Sequence, residues 1–138
     1  LLKGANMRER LQRLEENIRE LRRFRHTYTL DHMRRDRHLE WALRYGLLEA
    51  IQIVIDVSCH VVSRDNLGIP ANYAECIEML HRAGYLDDAL TNVLSSMTGL
   101  RNILVHEYIH VDPRQLHQLL DRLDDFKMFA EQIGPHLQ

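Results

Sequence analysis

The chain has 138 residues, 45% of them apolar, which suits a single domain with one modest core and excludes global disorder. The formal net charge of −2 excludes the strongly basic balance of a generic nucleic-acid binder, although all of its 18 basic residues except Lys3 and Lys127 are arginine. No apolar run approaches the ~18 residues that a membrane span needs, because Gln52 and Asp56 interrupt the richest stretch, Ala50 to Val57.

Leu1 to Asn6 precede the first methionine and read as a tag or extension, leaving 7–138 as one helical domain. No secretory signal stands out, and the expected location is the cytoplasm. Met7, Leu11, Leu14, Ile18 and Leu21 recur at spacings of four and three, one apolar stripe on a first helix that runs to about His26. A second, long helix is expected from Asp31, as N-cap, to about Ser63. Its buried face holds Leu39, Leu43, Leu47, Ala50, Ile53, Val54, Val57 and Val61. Gly46 in that interior costs ~1 kcal/mol against alanine and implies close approach of a neighbouring helix. Asp65 to Pro70 is a loop. A short third helix follows from an Asn72 cap, with Glu75 at capping-box spacing, to a C-terminal glycine at Gly84. A fourth helix runs from about Asp87 through Tyr108. Asp112-Pro113 reads as cap and first residue of a fifth, which carries Leu116, Leu119, Leu120, Leu123, Phe126 and Phe129 and ends before Gly134-Pro135. No strand pattern and no repeat occur, so the fold class is all-α, an antiparallel bundle of four to five helices.

Arginines cluster at Arg19, Arg22, Arg23 and Arg25, and again at Arg34, Arg35 and Arg37. Arginine's planar fork suits two phosphate oxygens, and a solvated helix face explains such runs equally well. Cys59 and Cys76 fall in apolar helical patterns and read as reduced, buried thiols. Phe24, Tyr28, Trp41 and Tyr45 read as core or interface residues. The scattered His26, His32, His38, His60, His81, His117 and His136 receive no ligand role.

Chemically capable groups crowd into residues 101–110, Arg-Asn-Ile-Leu-Val-His-Glu-Tyr-Ile-His. The plainest reading is a helix end with a histidine complementing the dipole. His106-Glu107-Tyr108-Ile109-His110 matches the zinc-protease pattern H-E-x-x-H, but Asp112-Pro113 follows at once. The extended protease motif would need glycine and histidine where Pro113 and Leu116 stand. Glu78–His81 and Glu107–His110 match the Glu-x-x-His of di-metal bundles, on a short helix and at a helix end. The reading that fits best needs no metal and no cofactor. Histidine exchanges protons near neutral pH, arginine stabilises charge on a phosphoryl group, and asparagine orients either one. RNA supplies its own nucleophile, the 2′-hydroxyl. On one ideal helix Arg101 and His106 point ~140° apart, whereas Asn102 and His106 share a face and Arg101 nearly aligns with Tyr108. Either the helix bends there or two copies contribute to one site. Asp56, a carboxylate in the most apolar helix, must find a partner; pairing with a structural arginine and holding Arg101 or His106 in position are compatible roles, and the second is the favoured one.

Arg101-Asn102-x-x-x-His106-x-Tyr108 resembles the R-x4-H-x-Y signature of HepT-type HEPN ribonuclease toxins. Ile55-Asp56-Val57, His60-Val61-Val62, Tyr73 to Gly84, Met97-Thr98-Gly99-Leu100 and Val111-Asp112 resemble the same family's framework, in order. The resemblance runs from about Leu39 onward. It implies a metal-free endoribonuclease with catalytic Arg101, His106 and Asn102, acting as a homodimer with a composite site on RNA, with neither DNA nor a membrane as partner. It also implies a cognate MntA-type nucleotidyltransferase antitoxin that attaches AMP to Tyr108, adding bulk and negative charge where RNA phosphate would bind. A non-catalytic module that only binds such a nucleotidyltransferase is the alternative from a different class.

Overall fold

The computed structural model describes residues 6–106 and 110–137. Helix α1 spans Met7–Thr27, α2 Leu30–Arg35, α3 Arg37–Arg64, α4 Tyr73–Arg82, α5 Asp88–Val105, α6 Pro113–Gln118 and α7 Leu123–Ile133. Short 3-10 turns at Leu119–Arg122 and Gly134–His136 follow α6 and α7. The described residues contain no strand, as the helical periodicity requires. Helix α3 is the axis of the bundle and packs against α1, α4 and α5. Its Leu43, Leu47, Ala50, Ile51, Val54, Ile55, Val57 and Val61 are buried. By length and composition α3 would suit a membrane span, yet these side chains form the protein's own core. The α1 stripe Leu11, Leu14, Ile18 and Leu21 closes one side, and Leu116, Leu120, Leu123, Phe126 and Phe129 close another. A Cβ on Gly46 would meet Leu21 Cδ2 at 3.0 Å, the close approach expected of that glycine.

Several boundaries differ from the sequence expectation. The helix expected from Asp31 to Ser63 is two helices, broken at Asp36. Thr29 caps α2 in a reciprocal capping box with His32, and the Asp36 carboxylate accepts from His38 N at 3.0 Å to cap α3. Aspartate competes for backbone N–H groups, so it favours a cap over a helix interior. The last helix is likewise divided by the turn at Leu119–Arg122, within an apolar stripe too regular to betray the change of pitch. Asn6, assigned by sequence to the extension, caps α1 by accepting from Arg8 N at 2.8 Å. Asn72 caps α4, but Glu75 bonds Ala71 N rather than completing a box. Gly84, at φ +82°, ends α4 as expected, with Tyr85 N donating to Leu80 O and Gly84 N to His81 O.

The reading of Cys59 and Cys76 as reduced thiols is also corrected. They form a disulfide joining α3 to α4, with Cα atoms 5.2 Å apart. Packing of the two helices brings the sulfurs together, and the 17-residue separation along the chain gave no sign of it. Trp41 and Tyr45 are not core residues: they are 53% and 65% exposed on the outer face of α3. The arginine clusters mostly engage acids on the surface, Arg22 with Asp124, Arg25 with Asp121 and Arg35 with Asp31, which favours the solvated-face reading for them.

Candidate active site

The candidate site lies at the C-terminal end of α5. Leu104 is buried there, while Asn102, Ile103, Val105 and His106 are exposed and Arg101 is partly covered. Helix α5 stops at Val105, short of the expected Tyr108. His106 is its C-cap, with φ −87° and ψ 87°, and so leaves the helical path. This removes the premise that Arg101 and His106 diverge along one ideal helix, and of the two alternatives posed by the sequence it meets the first. It also breaks the protease geometry. His106 and His110 both lie outside helices, so the i, i+4 register that H-E-x-x-H needs on one helix is missing. No group of three or more metal-capable side chains occurs among the described residues. Of the di-metal pair Glu78–His81, His81 contacts Asp88. Tyr108 and Glu107 lie outside the described residues.

A side chain from the centre of the bundle holds the end of α5. Arg44, on α3, donates from NH2 to Ile103 O at 3.3 Å and to His106 O at 3.0 Å, and from Nε to Leu104 O at 3.4 Å. Carbonyls at a helix C-terminus have no partner within the helix, and a cation there also complements the dipole. One guanidinium therefore caps α5 and fixes the backbone that carries His106. Sequence reasoning missed Arg44, which no local motif distinguishes from the other arginines.

Arg101 is held from a different direction. Its Nε donates to Gln52 Oε1 at 2.9 Å, and its guanidinium carbon lies 5.4 Å from the centre of the Tyr73 ring. NH1 is 3.5 Å from Asn102 Oδ1, a long contact that brings the two adjacent polar groups together. Asp56 meets neither Arg101 nor His106 directly. Its Oδ2 pairs with Arg10 NH1 at 2.9 Å, the structural arginine of the first role, and its Oδ1 accepts from Gln52 Nε2 at 2.8 Å. Asp56 thus reaches Arg101 through one amide. One turn earlier on α3, Glu49 bonds Arg13 at 2.6 Å and Asn17 at 2.9 Å. Burial pushes the Glu49 carboxyl up, but hydrogen bonds from Arg13, Asn17 and Tyr45 outweigh it and leave the group below its ordinary value. Arg10–Asp56 and Arg13–Glu49 thus form an ionic seam between α1 and α3, which Arg101 meets through Gln52.

The chain is 28% identical over 101 residues to the mRNA nuclease HepT of Shewanella oneidensis, covering 72% of this chain and 76% of that one. It is 31% identical over 93 residues to the tRNA nuclease HepT of Aphanizomenon flos-aquae, covering 66% and 63%. Its fold matches a solved structure of the tri-AMPylated Shewanella oneidensis HEPN toxin in complex with MNT antitoxin. That match has a TM-score of 0.84 and 21% identity over 96% of this chain and 98% of that one. The family model described as ribonuclease HepT-like matches residues 14–133, nearly the whole helical domain with its site, and the chain belongs to that family.

Proposed function

We propose that this chain is a metal-independent endoribonuclease, the toxin of a toxin–antitoxin pair, with Arg101, His106 and Asn102 as its catalytic residues. The observation that carries the reading is the end of α5, in a chain of the ribonuclease HepT-like family: the Arg101 guanidinium is held through Nε, and, five residues on, an exposed histidine has left the helix. In the reaction, the 2′-oxygen of RNA forms a bond to phosphorus as the bond from phosphorus to the 5′-oxygen breaks. The His106 imidazole takes the 2′-hydroxyl proton, and the leaving 5′-oxygen takes its proton from solvent water. Arg101 stabilises the charge that builds on the phosphoryl oxygens, and Asn102 orients the group beside it. The nucleophile belongs to the substrate, so no metal has to generate one. A labelled RNA incubated with the protein in EDTA should be cut, and neither Arg101→Ala nor His106→Ala should cut it. RNA left intact by the wild type would support the non-catalytic module instead.

The partner is a nucleotidyltransferase of the MNT type. The Shewanella toxin is AMPylated and in complex with such an antitoxin, and the motif match makes Tyr108 the acceptor here. Intact-mass spectrometry after incubation with the cognate enzyme and ATP should show adenylate on the wild type and none on Tyr108→Phe; equal modification of both would exclude this tyrosine. The active form is a homodimer. Exposed Ile103 and Val105 beside the site support a second copy there, and a monomer that cleaves RNA at micromolar concentration would refute it.

A further inference from the structure

The Arg101 guanidinium is held at Nε and lies over the Tyr73 ring. Nε donates to Gln52 Oε1, Gln52 Nε2 donates to Asp56 Oδ1, and Asp56 Oδ2 accepts from Arg10 NH1. The guanidinium carbon lies over the Tyr73 ring, 5.4 Å from its centre. The order of donors and acceptors fixes the amide, because a guanidinium offers only hydrogens and a carboxylate only lone pairs. Gln52 can therefore stand between them in one orientation only. Gln52 and Asp56 are four residues apart on α3 and share a face, while Arg10 comes from α1 and Tyr73 from α4. Residues of α3 and α4 thus meet one side chain of α5, with α1 behind them through Asp56. With Nε occupied, the donors left for a phosphate are on NH1, whose contact to Asn102 Oδ1 is long at 3.5 Å, and on NH2, the fork that matches two phosphate oxygens.

The amide also settles the charge. A carboxylate directly on Arg101 would oppose its charge and compete with phosphate. Gln52 orients the guanidinium and carries no charge, and the Asp56 carboxylate behind it is balanced by Arg10 at 2.9 Å. Arg101 is thereby aimed without being neutralised.

We propose that Gln52 is a positioning residue for Arg101: backed by Asp56 and Arg10, and with the guanidinium over the Tyr73 ring, it turns NH1 and NH2 toward the scissile phosphate. The proposal rests on the ribonuclease reading. Gln52→Met keeps the shape and removes both polar atoms. On a fluorescent mixed-sequence RNA oligonucleotide, kcat should fall by about 10–100-fold, with KM and the melting temperature close to wild type. Asp56→Asn should do the same without touching Arg101. Its oxygen must face Arg10, so its amide hydrogens face Gln52, and the Gln52 amide turns its own hydrogens onto Arg101. Because both changes break one chain of contacts, the double variant should be no slower than Gln52→Met. By 15N NMR, the slowly exchanging Arg101 Nε–H should be lost in both single variants. An active wild type with an equally fast Gln52→Met, a loss confined to KM or to stability, or multiplying losses in the double variant would overturn the proposal. An inert wild type would overturn the ribonuclease reading, and this role with it.

Discussion

At the scale of single residues, the site combines groups that a local motif reveals with groups that only folding supplies. Arg101, Asn102 and His106 were legible because three chemically capable side chains fall within one short segment. Asp56 was legible as a carboxylate that needs a partner, but the partners, Arg10 and Gln52, were not. Arg44 stands 62 residues from the His106 carbonyl it holds, so no window along the chain joins them. Replacing Arg44 by alanine leaves the α5 carbonyls to water and frees the backbone at His106. Cleavage should fall by about tenfold or more through misplacement of the imidazole, and Arg44→Lys, a single point charge in place of a fork, should recover only part of it. Full activity in Arg44→Ala, measured as initial rates, would show that His106 is positioned by other means. Away from the site, hydrogen bonds from Arg64 and Tyr85 hold the Asp65 carboxyl down to about 2. A carboxyl depressed in the folded state stabilises the protein above its unfolded value, about 3.9, and that contribution disappears as pH falls through about 2. Between about pH 4 and pH 2 the urea midpoint of the wild type should therefore fall more steeply than that of Asp65→Asn; parallel curves would mean the interaction persists in the unfolded chain.

At the scale of elements, apolar periodicity and caps made most of the bundle readable. The α1 stripe, the Asn72 cap with its closing Gly84, the Asp87 cap of α5 and the Asp112-Pro113 start of α6 all stand where their chemistry places them. What stayed hidden were changes that leave the apolar pattern intact. The break at Asp36 lies in a charged run with no stripe to interrupt, and the 3-10 turn at Leu119–Arg122 shifts pitch without changing which residues are apolar. The early end of α5 at Val105 matters most, because it releases His106 from the helix. The disulfide between α3 and α4 was hidden for a different reason: two cysteines in apolar patterns look alike whether free or paired. Closing the intervening loop should stabilise the fold by about 3 kcal/mol through the unfolded chain. Dithiothreitol should lower the urea midpoint of the wild type to that of Cys59→Ala and leave the variant unmoved. A wild type indifferent to the reductant would place no stabilising bond there.

At the scale of the whole molecule, the proposed function has a nearly neutral chain handle a polyanion by concentrating its chemistry at one end of one helix. The outlying arginines are largely occupied by acids on their own surface, and the Arg10–Asp56 pair between α1 and α3 reaches Arg101 through Gln52. This division of labour explains why overall charge said little about function while eight consecutive residues said much. The central claim is that RNA is cut by its own 2′-hydroxyl, with His106 and Arg101 assisting and no metal required. The most direct test uses two oligonucleotides of one sequence, one all-RNA and one carrying 2′-O-methyl groups at the sites cleaved, each incubated with the protein in EDTA. The all-RNA strand should yield fragments with 2′,3′-cyclic phosphate and 5′-hydroxyl ends, and the methylated strand should resist. Cleavage of the methylated strand, or cleavage that begins only when a divalent metal is restored, would contradict it.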